Sequence, residues 1–418
     1  MKFAIEKKLD HTLARAGMIE TAHGVIETPA LIIAATKATV KTLTPEDIND
    51  VGGQALLANT YHLYLQPGDG VVRKVGGLHK FMNWSGPVMT DSGGFQAFSL
   101  GEAFGNGISK FISWPTIIHP DQGYNPSQHP KRARVDDDGV TFYSHIDGSE
   151  HRFTPERSIQ IQHNLMADII FAFDECVSPH APREMHEKAI ERTSSWALRC
   201  LVEHRRQQKN HPLLESLEKI PRLRALDDSP VALFGVVQGG RYEDLRRQSA
   251  RDISKLNFDG YAIGGSFVKE DMGTAVRWVC EELPEDKPRH LLGVGEPEDL
   301  FAGIENGVDT FDCVVATRKA RNGQLYTHKG EINITNAKYK KLFEPIDKKC
   351  ACYTCSPRSG GAGYSCAYLH HLFKSSELLA YRLATIHNLF FIISLISRIR
   401  LAILKGSFLK LKESFMGY

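Results

Sequence analysis

Short apolar runs rich in branched side chains recur along the chain, and each is followed by a longer segment with helical character. The eight runs are residues 30–34, 55–58, 87–90, 168–173, 232–237, 260–263, 290–294 and 308–314. Strands that alternate with helices usually pair in parallel. Eight such units predict an α/β fold built as a closed (β/α)8 TIM barrel, and a doubly wound sheet is the alternative that the pattern allows.

Carboxylates follow three of these predicted strands. Asp91 comes after the third run, Asp174 after the fourth, and Asp312 lies near the end of the eighth. The carboxyl ends of all barrel strands form one face, where active sites lie. One aspartate at a strand end is most often a cap or turn residue. Three that converge instead indicate a nucleophile, a general acid or base, a binder of a base edge, or a magnesium site.

Two weaker patterns lie at the same predicted face. Glycines follow the fifth run at residues 238–240 and the sixth at Gly264 and Gly265, where exposed backbone can approach a flat base or simply form turns. Three cations occur at residues 317–321, just after the eighth run. They suit contacts with phosphates, and the alternative is a solvated charged loop.

The cysteines indicate a metal site. Cys350, Cys352 and Cys355 fall within six residues, a spacing that is typical of zinc binding in a reducing compartment. Structural zinc sites are closed and tetrahedral, so a fourth ligand is needed beside the three cysteines. The candidates for that ligand are Cys366, His370, His371 and His387.

Composition and charge add few constraints. The 418 residues are 42% hydrophobic and carry a formal net charge of +2, so a nucleic-acid partner would have to bind a local basic patch. The N-terminus lacks the apolar stretch of a secretory signal, and the most apolar run, residues 389–396, is too short to span a bilayer. We therefore expect a cytoplasmic protein without a membrane anchor.

The domain organisation follows from the same patterns. We predict a single catalytic barrel domain over residues 1–418, with a zinc-binding subdomain at residues 345–395. A proline-rich, charged stretch at residues 112–138 interrupts the alternation and predicts a polar surface insertion.

Several motifs, in order along the chain, resemble those of the tRNA-guanine transglycosylases of the bacterial type. They are NTYHL at 59–63, MTDSGGFQ at 89–96, FDEC at 173–176, VQGG at 237–240, YAIGG at 261–265, FDCV at 311–314, the cysteine cluster, AYLHH at 367–371 and TIHN at 385–388. The match extends from about residue 10 to about residue 405. Chance does not place so many motifs at the ends of barrel strands.

The resemblance implies a role for each site residue. Asp312 is expected to attack the anomeric carbon of the ribose, and Asp91 to act as general acid and base. The expected base-binding residues are Asp91, Phe95, Asp174, Cys176, Gln238, Gly264 and Gly265. The residues expected to hold the anticodon loop are Thr317, Arg318 and Arg321. The expected ligands of one structural Zn²⁺ per chain are Cys350, Cys352, Cys355 and His387.

The resemblance also implies the reaction and the partners. A homodimer is expected to exchange the wobble guanine of tRNAs with a GUN anticodon (Asp, Asn, His and Tyr) for 7-aminomethyl-7-deazaguanine in queuosine biosynthesis. The exchange is a double displacement through a covalent enzyme–RNA intermediate. Such a base must leave its loop to reach a pocket, which costs less in a single-stranded loop.

Departures from the family pattern leave alternatives open. Ser266 and Phe267 stand where bacterial members commonly have Leu and Ala, so queuine itself is an alternative entering base. Cys366 replaces an Arg and adds a possible zinc ligand. Residues 356–363 form a longer segment than usual, which indicates a remodelled zinc loop.

Three other kinds of protein remain as hypotheses. A non-catalytic accessory subunit is disfavoured because Asp91 and Asp312 are both present. An archaeal-type enzyme is disfavoured because the chain ends soon after the cysteine region. A barrel glycoside hydrolase is disfavoured by the cysteine cluster and by the cations after Asp312.

Overall fold

The computed structural model describes residues 1–102, 133–209, 231–264, 267, 269–356 and 363–417. Its strands are β1 (Lys2–Lys8), β2 (Arg15–Thr21), β3 (Gly24–Thr28), β4 (Ala30–Ala34), β5 (Leu56–Ala58), β6 (Val88–Thr90), β7 (Ala133–Asp136), β8 (Gly139–Tyr143), β9 (Glu150–Phe153), β10 (Ile169–Phe171), β11 (Ala232–Val237), β12 (Gly260–Ile263), β13 (Arg289–Leu291), β14 (Thr310–Cys313), β15 (Gln324–Thr327) and β16 (Gly330–Asn333).

The α-helices surround and extend these strands. They are α1 (Pro45–Asp50), α2 (Thr60–Leu65), α3 (Asp69–Val75), α4 (Leu78–Met82), α5 (Gly94–Glu102), α6 (Pro155–Leu165), α7 (Arg183–Gln208), α8 (Glu243–Ser254), α9 (Met272–Cys280), α10 (Pro297–Glu305), α11 (Val315–Arg321), α12 (Cys366–Lys374), α13 (Leu378–Leu404) and α14 (Phe408–Met416). Short 3₁₀ turns occur at Lys269–Asp271 and Ala337–Tyr339.

Eight parallel strands close into a barrel, which confirms the predicted fold class. Their order is β10-β11-β12-β13-β14-β4-β5-β6, and β10 pairs with β6 to complete the circle. Each barrel strand overlaps one of the eight apolar runs, and three runs coincide with β4, β11 and β12 in both limits. The interior is filled by branched and aromatic side chains such as Ile32, Met89 and Phe234, so the barrel is a packed core.

Two small sheets lie outside the barrel. Strands β1 to β3 form an antiparallel sheet, and the buried Arg15 of β2 binds Asp309, just before β14, at 2.6 Å. Strands β7 to β9 form a second antiparallel sheet between β6 and β10 in the chain. Of the polar insertion predicted at 112–138, residues 112–132 lie outside the described part of the chain, and Ala133–Asp136 forms β7.

The apolar run at residues 389–396 belongs to the longer helix α13. By length and composition alone this 27-residue helix is long and apolar enough to cross a membrane, whereas residues 389–396 by themselves are too short. Its most apolar window is 61% buried, and Leu389, Ile392 and Ile399 pack in the main core. A core helix passes the same test of length and hydropathy, so this observation is weak evidence for a membrane span.

Candidate active site

A cavity opens at the carboxyl ends of the barrel strands and collects most of the residues predicted from the sequence. The predicted residues that line it are Asp91, Phe95, Asp174, Cys176, Gln238, Gly264 and Asp312. Apolar side chains of the barrel, among them Leu57, Phe171 and Val236, also line it. Gly265 and Ser266 lie outside the described residues. The strand ends therefore bring three carboxylates and an amide to one concave surface.

Asp91 is held rigidly at the end of β6. The backbone N–H of Thr60 donates to its Oδ1 at 2.9 Å, and the side-chain amide of Asn59 donates to its Oδ2. Asn59 is also the N-cap of α2, where its Oδ1 accepts from the N–H of His62 at 2.9 Å. One side chain thus begins a helix and orients a carboxylate that is expected to move a proton.

Asp174 forms a buried pair with Gln238. The Nε2 of Gln238 donates to Oδ2 of Asp174 at 2.5 Å, and the hydroxyl of Ser92 donates to Oδ1 at 3.1 Å. The backbone of Gln238 is anchored in turn by the hydroxyl of Ser249 at 3.1 Å. A carboxylate beside an amide offers both acceptors and donors, which is the complement needed by the edge of a guanine.

Asp312 receives two donors on the same oxygen. The backbone N–H of Gly293 lies 2.8 Å from Oδ1, and Nε2 of His290 lies 3.2 Å from it. His290 is fully buried. No sequence motif points to His290; its signal is an ionisable residue at the start of the apolar run 290–294.

A buried arginine supports the glycines that follow β11 and β12. Arg246 donates to the carbonyl of Gly240 at 2.8 Å and to that of Gly264 at 2.6 Å. Its guanidinium lies 4.6 Å from the ring centre of Phe267, and burial lowers its pKa to about 9. Within the described part of the chain its Nη2 has no hydrogen-bond partner. Nothing in the local sequence distinguished Arg246 from other helical arginines.

The predicted anticodon-binding residues lie on α11, directly after Asp312 on β14. Arg318 is exposed, whereas Thr317 is buried and its hydroxyl donates to the carbonyl of Val314 at 3.1 Å. Arg321 donates to the carbonyl of Thr317 at 2.9 Å, and burial, followed by the charge of Arg318, lowers its pKa. The three residues therefore differ in how much surface they offer to an RNA.

Three cysteines and one histidine form a compact group that fits a metal ion. The ligand atoms of Cys350, Cys352, Cys355 and His387 all lie within 4.8 Å of one another. His387 Nδ1 is 3.3 to 3.7 Å from the three sulfur atoms, and Nε2 is bound to the carbonyl of Tyr326 at 2.7 Å. A ligating histidine characteristically donates its other nitrogen in this way.

The other candidates for the fourth ligand lie elsewhere. His370 Nδ1 binds the carbonyl of Ile334 at 2.9 Å, and His371 is exposed. Cys366 is buried at the start of α12 and is not a member of the group. Of the four possibilities that the sequence left open, the geometry selects His387.

A second group of potential ligands lies at the opposite end of the barrel. His23 Nδ1 is 2.6 Å from Oδ1 of Asp168, and His79 Nε2 is 3.2 Å from Oδ2. The two imidazole rings stack with centroids 3.6 Å apart and an interplanar angle of 17°. A single ion cannot lie in both nearly parallel ring planes, so we interpret this group as two histidines that share one carboxylate.

Comparison with known proteins agrees with this geometry. The family model described as queuine tRNA-ribosyltransferase matches residues 10–105 and 101–417. The chain belongs to that family. The resemblance to the tRNA-guanine transglycosylases and the assignment as a glycosyltransferase-type enzyme are thereby confirmed.

Individual relatives match over their whole length. A queuine tRNA-ribosyltransferase of Desulforamulus reducens is 44% identical over 100% of this chain and 98% of the relative. A queuine tRNA-ribosyltransferase of Lactococcus lactis is 42% identical over 99% of this chain and 95% of the relative. A protein of Archaeoglobus fulgidus named putative queuine tRNA-ribosyltransferase is 44% identical and fully covered.

Proposed function

We propose that this enzyme replaces the wobble guanine of tRNAs carrying a GUN anticodon with a 7-deazaguanine base. The observation that carries the proposal is that Asp91, Asp174 and Asp312 line one cavity together with Gln238. Family membership supports tRNA as the substrate class. The GUN anticodon and the four tRNAs for Asp, Asn, His and Tyr belong to the proposal.

The reaction is a double displacement. A carboxylate oxygen of Asp312 attacks C1′ of the ribose, the bond from C1′ to the guanine nitrogen breaks, and its electron pair leaves with the base. Asp91 supplies the proton that neutralises the departing guanine. The entering base then returns a proton to Asp91 and attacks C1′, which releases Asp312. The covalent intermediate divides one difficult displacement into two easier ones.

The base is recognised by the buried pair of Asp174 and Gln238 and by residues next to that pair. Asp174 and Gln238 bind the base edge, the backbone at Gly264 and Gly265 contacts the base closely, and Phe95 stacks on it. Cys176 suits the bacterial type of pocket, which takes 7-aminomethyl-7-deazaguanine.

The tRNA is held next to the nucleophile. Arg318 contacts a phosphate of the anticodon loop, and Thr317 and Arg321 fix the helix that presents it. Phosphate contacts set position and make binding salt-dependent, whereas base contacts specify sequence. Placement of these residues directly after β14 supports the assignment.

The proposed enzyme binds one structural zinc ion per chain. Cys350, Cys352, Cys355 and His387 hold it with all four positions filled, so zinc stabilises the subdomain at residues 345–395 and takes no part in the chemistry. The thiolates suit the reducing cytoplasm, where we expect the enzyme. We further propose one catalytic domain over residues 1–418, with residues 112–138 as an insertion.

We propose that the enzyme acts as a homodimer. Aromatic side chains beside the zinc group support this, since Tyr353 and Tyr368 are partly exposed and Phe343 is 81% exposed. Exposed apolar patches on a soluble domain often mark an interface. A monomeric mass at micromolar concentration would contradict the dimer.

The exchange assay tests the activity directly. Wild type and an Asp312→Asn variant are incubated with labelled guanine and a tRNA with a GUN anticodon. We expect incorporation by the wild type alone, and competition by 7-aminomethyl-7-deazaguanine or queuine identifies the entering base. No incorporation by a folded, metal-loaded wild type would instead favour the accessory-subunit hypothesis.

A further inference from the structure

An ionisable side chain lies inside the largely apolar barrel. His290 is the middle residue of β13 and is fully buried. Its ring packs on Phe171, with centroids 5.2 Å apart, in a barrel interior built of residues such as Ile32 and Phe234. An imidazole at such a position is costly unless both of its nitrogens are hydrogen-bonded.

Both nitrogens have partners on the neighbouring strand β14. His290 is in register with Thr310, and its Nδ1 lies 2.9 Å from the Thr310 hydroxyl. Its Nε2 extends toward the cavity and lies 3.2 Å from Oδ1 of Asp312. An ionised carboxylate only accepts, so Nε2 carries the proton. The Thr310 hydroxyl can donate to Nδ1 and thereby keeps the neutral ring in that tautomer.

Packing alone does not account for this arrangement. The same volume filled by an apolar side chain would need no partners, and replacing buried polar groups by well-packed apolar ones is often neutral or stabilising. The ladder Thr310–His290–Asp312 begins in the core and ends on the carboxylate at the cavity. Because this series of hydrogen bonds ends on Asp312, its role concerns that carboxylate.

The geometry points to His290 as a positioning residue for the nucleophile Asp312, an inference that rests on the proposed function. Gly293 N–H and His290 Nε2–H both donate to Oδ1 and so restrict rotation of the carboxylate about its Cβ–Cγ bond. One oxygen of the carboxylate held in this way then forms the bond to C1′ while the bond to guanine breaks. Thr310 acts one step further back, by holding the tautomer of the imidazole.

Two substitutions of similar length separate positioning from packing. His290→Gln keeps an N–H donor at about the reach of Nε2, whereas His290→Met fills the space without a donor. We expect the Met variant to form the covalent protein–tRNA adduct roughly 10- to 100-fold more slowly, since small misplacements of reacting groups cost rate on this scale. The Gln variant should recover most of the rate, and KM for tRNA should be unchanged in both.

The measurement is single-turnover adduct formation on a denaturing gel, together with kcat, KM, thermal unfolding and metal content. A Met variant that is less stable but equally fast would show a purely structural role and overturn the inference, as would a slow Gln variant that is fully folded. If the Met variant does not fold, Thr310→Val against Thr310→Ser makes the same comparison, with only the Val variant expected to be slow. An inactive wild type would count against the proposed function, because the inference concerns only differences from an active wild type.

Discussion

At the scale of single residues, the two carboxylates that we propose to react are held by partners to which we assign no step of the chemistry. Asn59 and the backbone of Thr60 orient Asp91, and Gly293 and His290 orient Asp312. A preorganised carboxylate needs no reorientation during the reaction, which is why such hydrogen bonds raise rates.

The double role of Asn59 leads to the first prediction. Asn59→Ser keeps a helix N-cap but is too short to reach Asp91, whereas Asn59→Ala loses both functions. We expect both variants to exchange guanine roughly 10-fold more slowly. Only the Ala variant should lose about 1 kcal/mol of stability, the usual value of an N-cap. Exchange kinetics and urea unfolding measure the two effects, and equal activity of Ser variant and wild type would contradict the role of Asn59.

At the scale of elements, buried charges and the metal-ligand group connect pieces that are far apart in sequence. The turn before β3 is joined to the start of β10 through His23 and Asp168, next to His79 of α4. The cysteine turn is joined to α13 through His387. Each connection brings a peripheral element onto the barrel.

Asp168 should contribute stability that depends on pH. Although burial opposes it, hydrogen bonding to His23 and the proximity of His79 lower the pKa of Asp168 below its ordinary value. A group with a lowered folded pKa stabilises the fold above its unfolded pKa and loses that contribution as pH falls through the folded value. We expect Asp168→Asn to cost roughly 1–3 kcal/mol at pH 7.

The loss of unfolding free energy in Asp168→Asn should become smaller toward pH 3.5. Urea unfolding at several pH values measures it. Asp259→Asn is the matched control, because each aspartate accepts a backbone N–H near the start of a barrel strand: Asp168 from Val88 at 2.8 Å and Asp259 from Leu233 at 2.9 Å. A difference between Asp168→Asn and wild type that is constant with pH would contradict the linkage.

Metal removal should act on the C-terminal elements. We expect one zinc ion per chain in the wild type, and its loss in Cys355→Ser or His387→Ala, because a three-ligand remnant binds zinc poorly. Cys366→Ser should retain the metal, since Cys366 lies outside the group. Elemental analysis and thermal unfolding with and without a chelator check this. Metal that is retained by His387→Ala but lost from Cys366→Ser would show that Cys366, and not His387, is the fourth ligand.

At the scale of the whole molecule, the charge is nearly balanced. Lys and Arg number 51 and Asp and Glu number 49, so long-range attraction of tRNA is weak and local cations decide binding. Many of these cations are already in ion pairs, as Lys319 is with Glu296 and Glu331. We therefore expect exposed Arg318 on the same helix to be the better phosphate ligand.

The salt dependence of tRNA binding tests whether Arg318 contacts a phosphate. Arg318→Ala should weaken tRNA binding and reduce the slope of log K against log salt concentration by about one, the value for one phosphate contact. Arg277→Ala on α9, whose partner is Glu281, should leave the slope unchanged. Titration of tRNA at several salt concentrations measures both. Equal slopes for Arg318→Ala and wild type would exclude a phosphate contact.

The sequence by itself determined the parts of this protein that depend on local patterns. Alternation of apolar runs with helical segments predicted all eight barrel strands, because strand and helix periodicities are local. The aspartates at strand ends converged as predicted, since parallel strands share one carboxyl edge. The resemblance of motifs identified the family.

Only the tertiary structure decided which groups hold the reactive ones in place. His290 and Arg246 lie in ordinary strand and helix patterns, and their importance comes from contacts with Asp312 on the neighbouring strand and with the carbonyls of Gly240 and Gly264 after β11 and β12. Residue chemistry alone left four candidates for the fourth ligand and the family resemblance pointed to His387, and the path of α13 past the cysteine turn brings His387 to the three cysteines. Contacts between distant segments leave no periodic trace in the sequence, so they appear only once the barrel has closed.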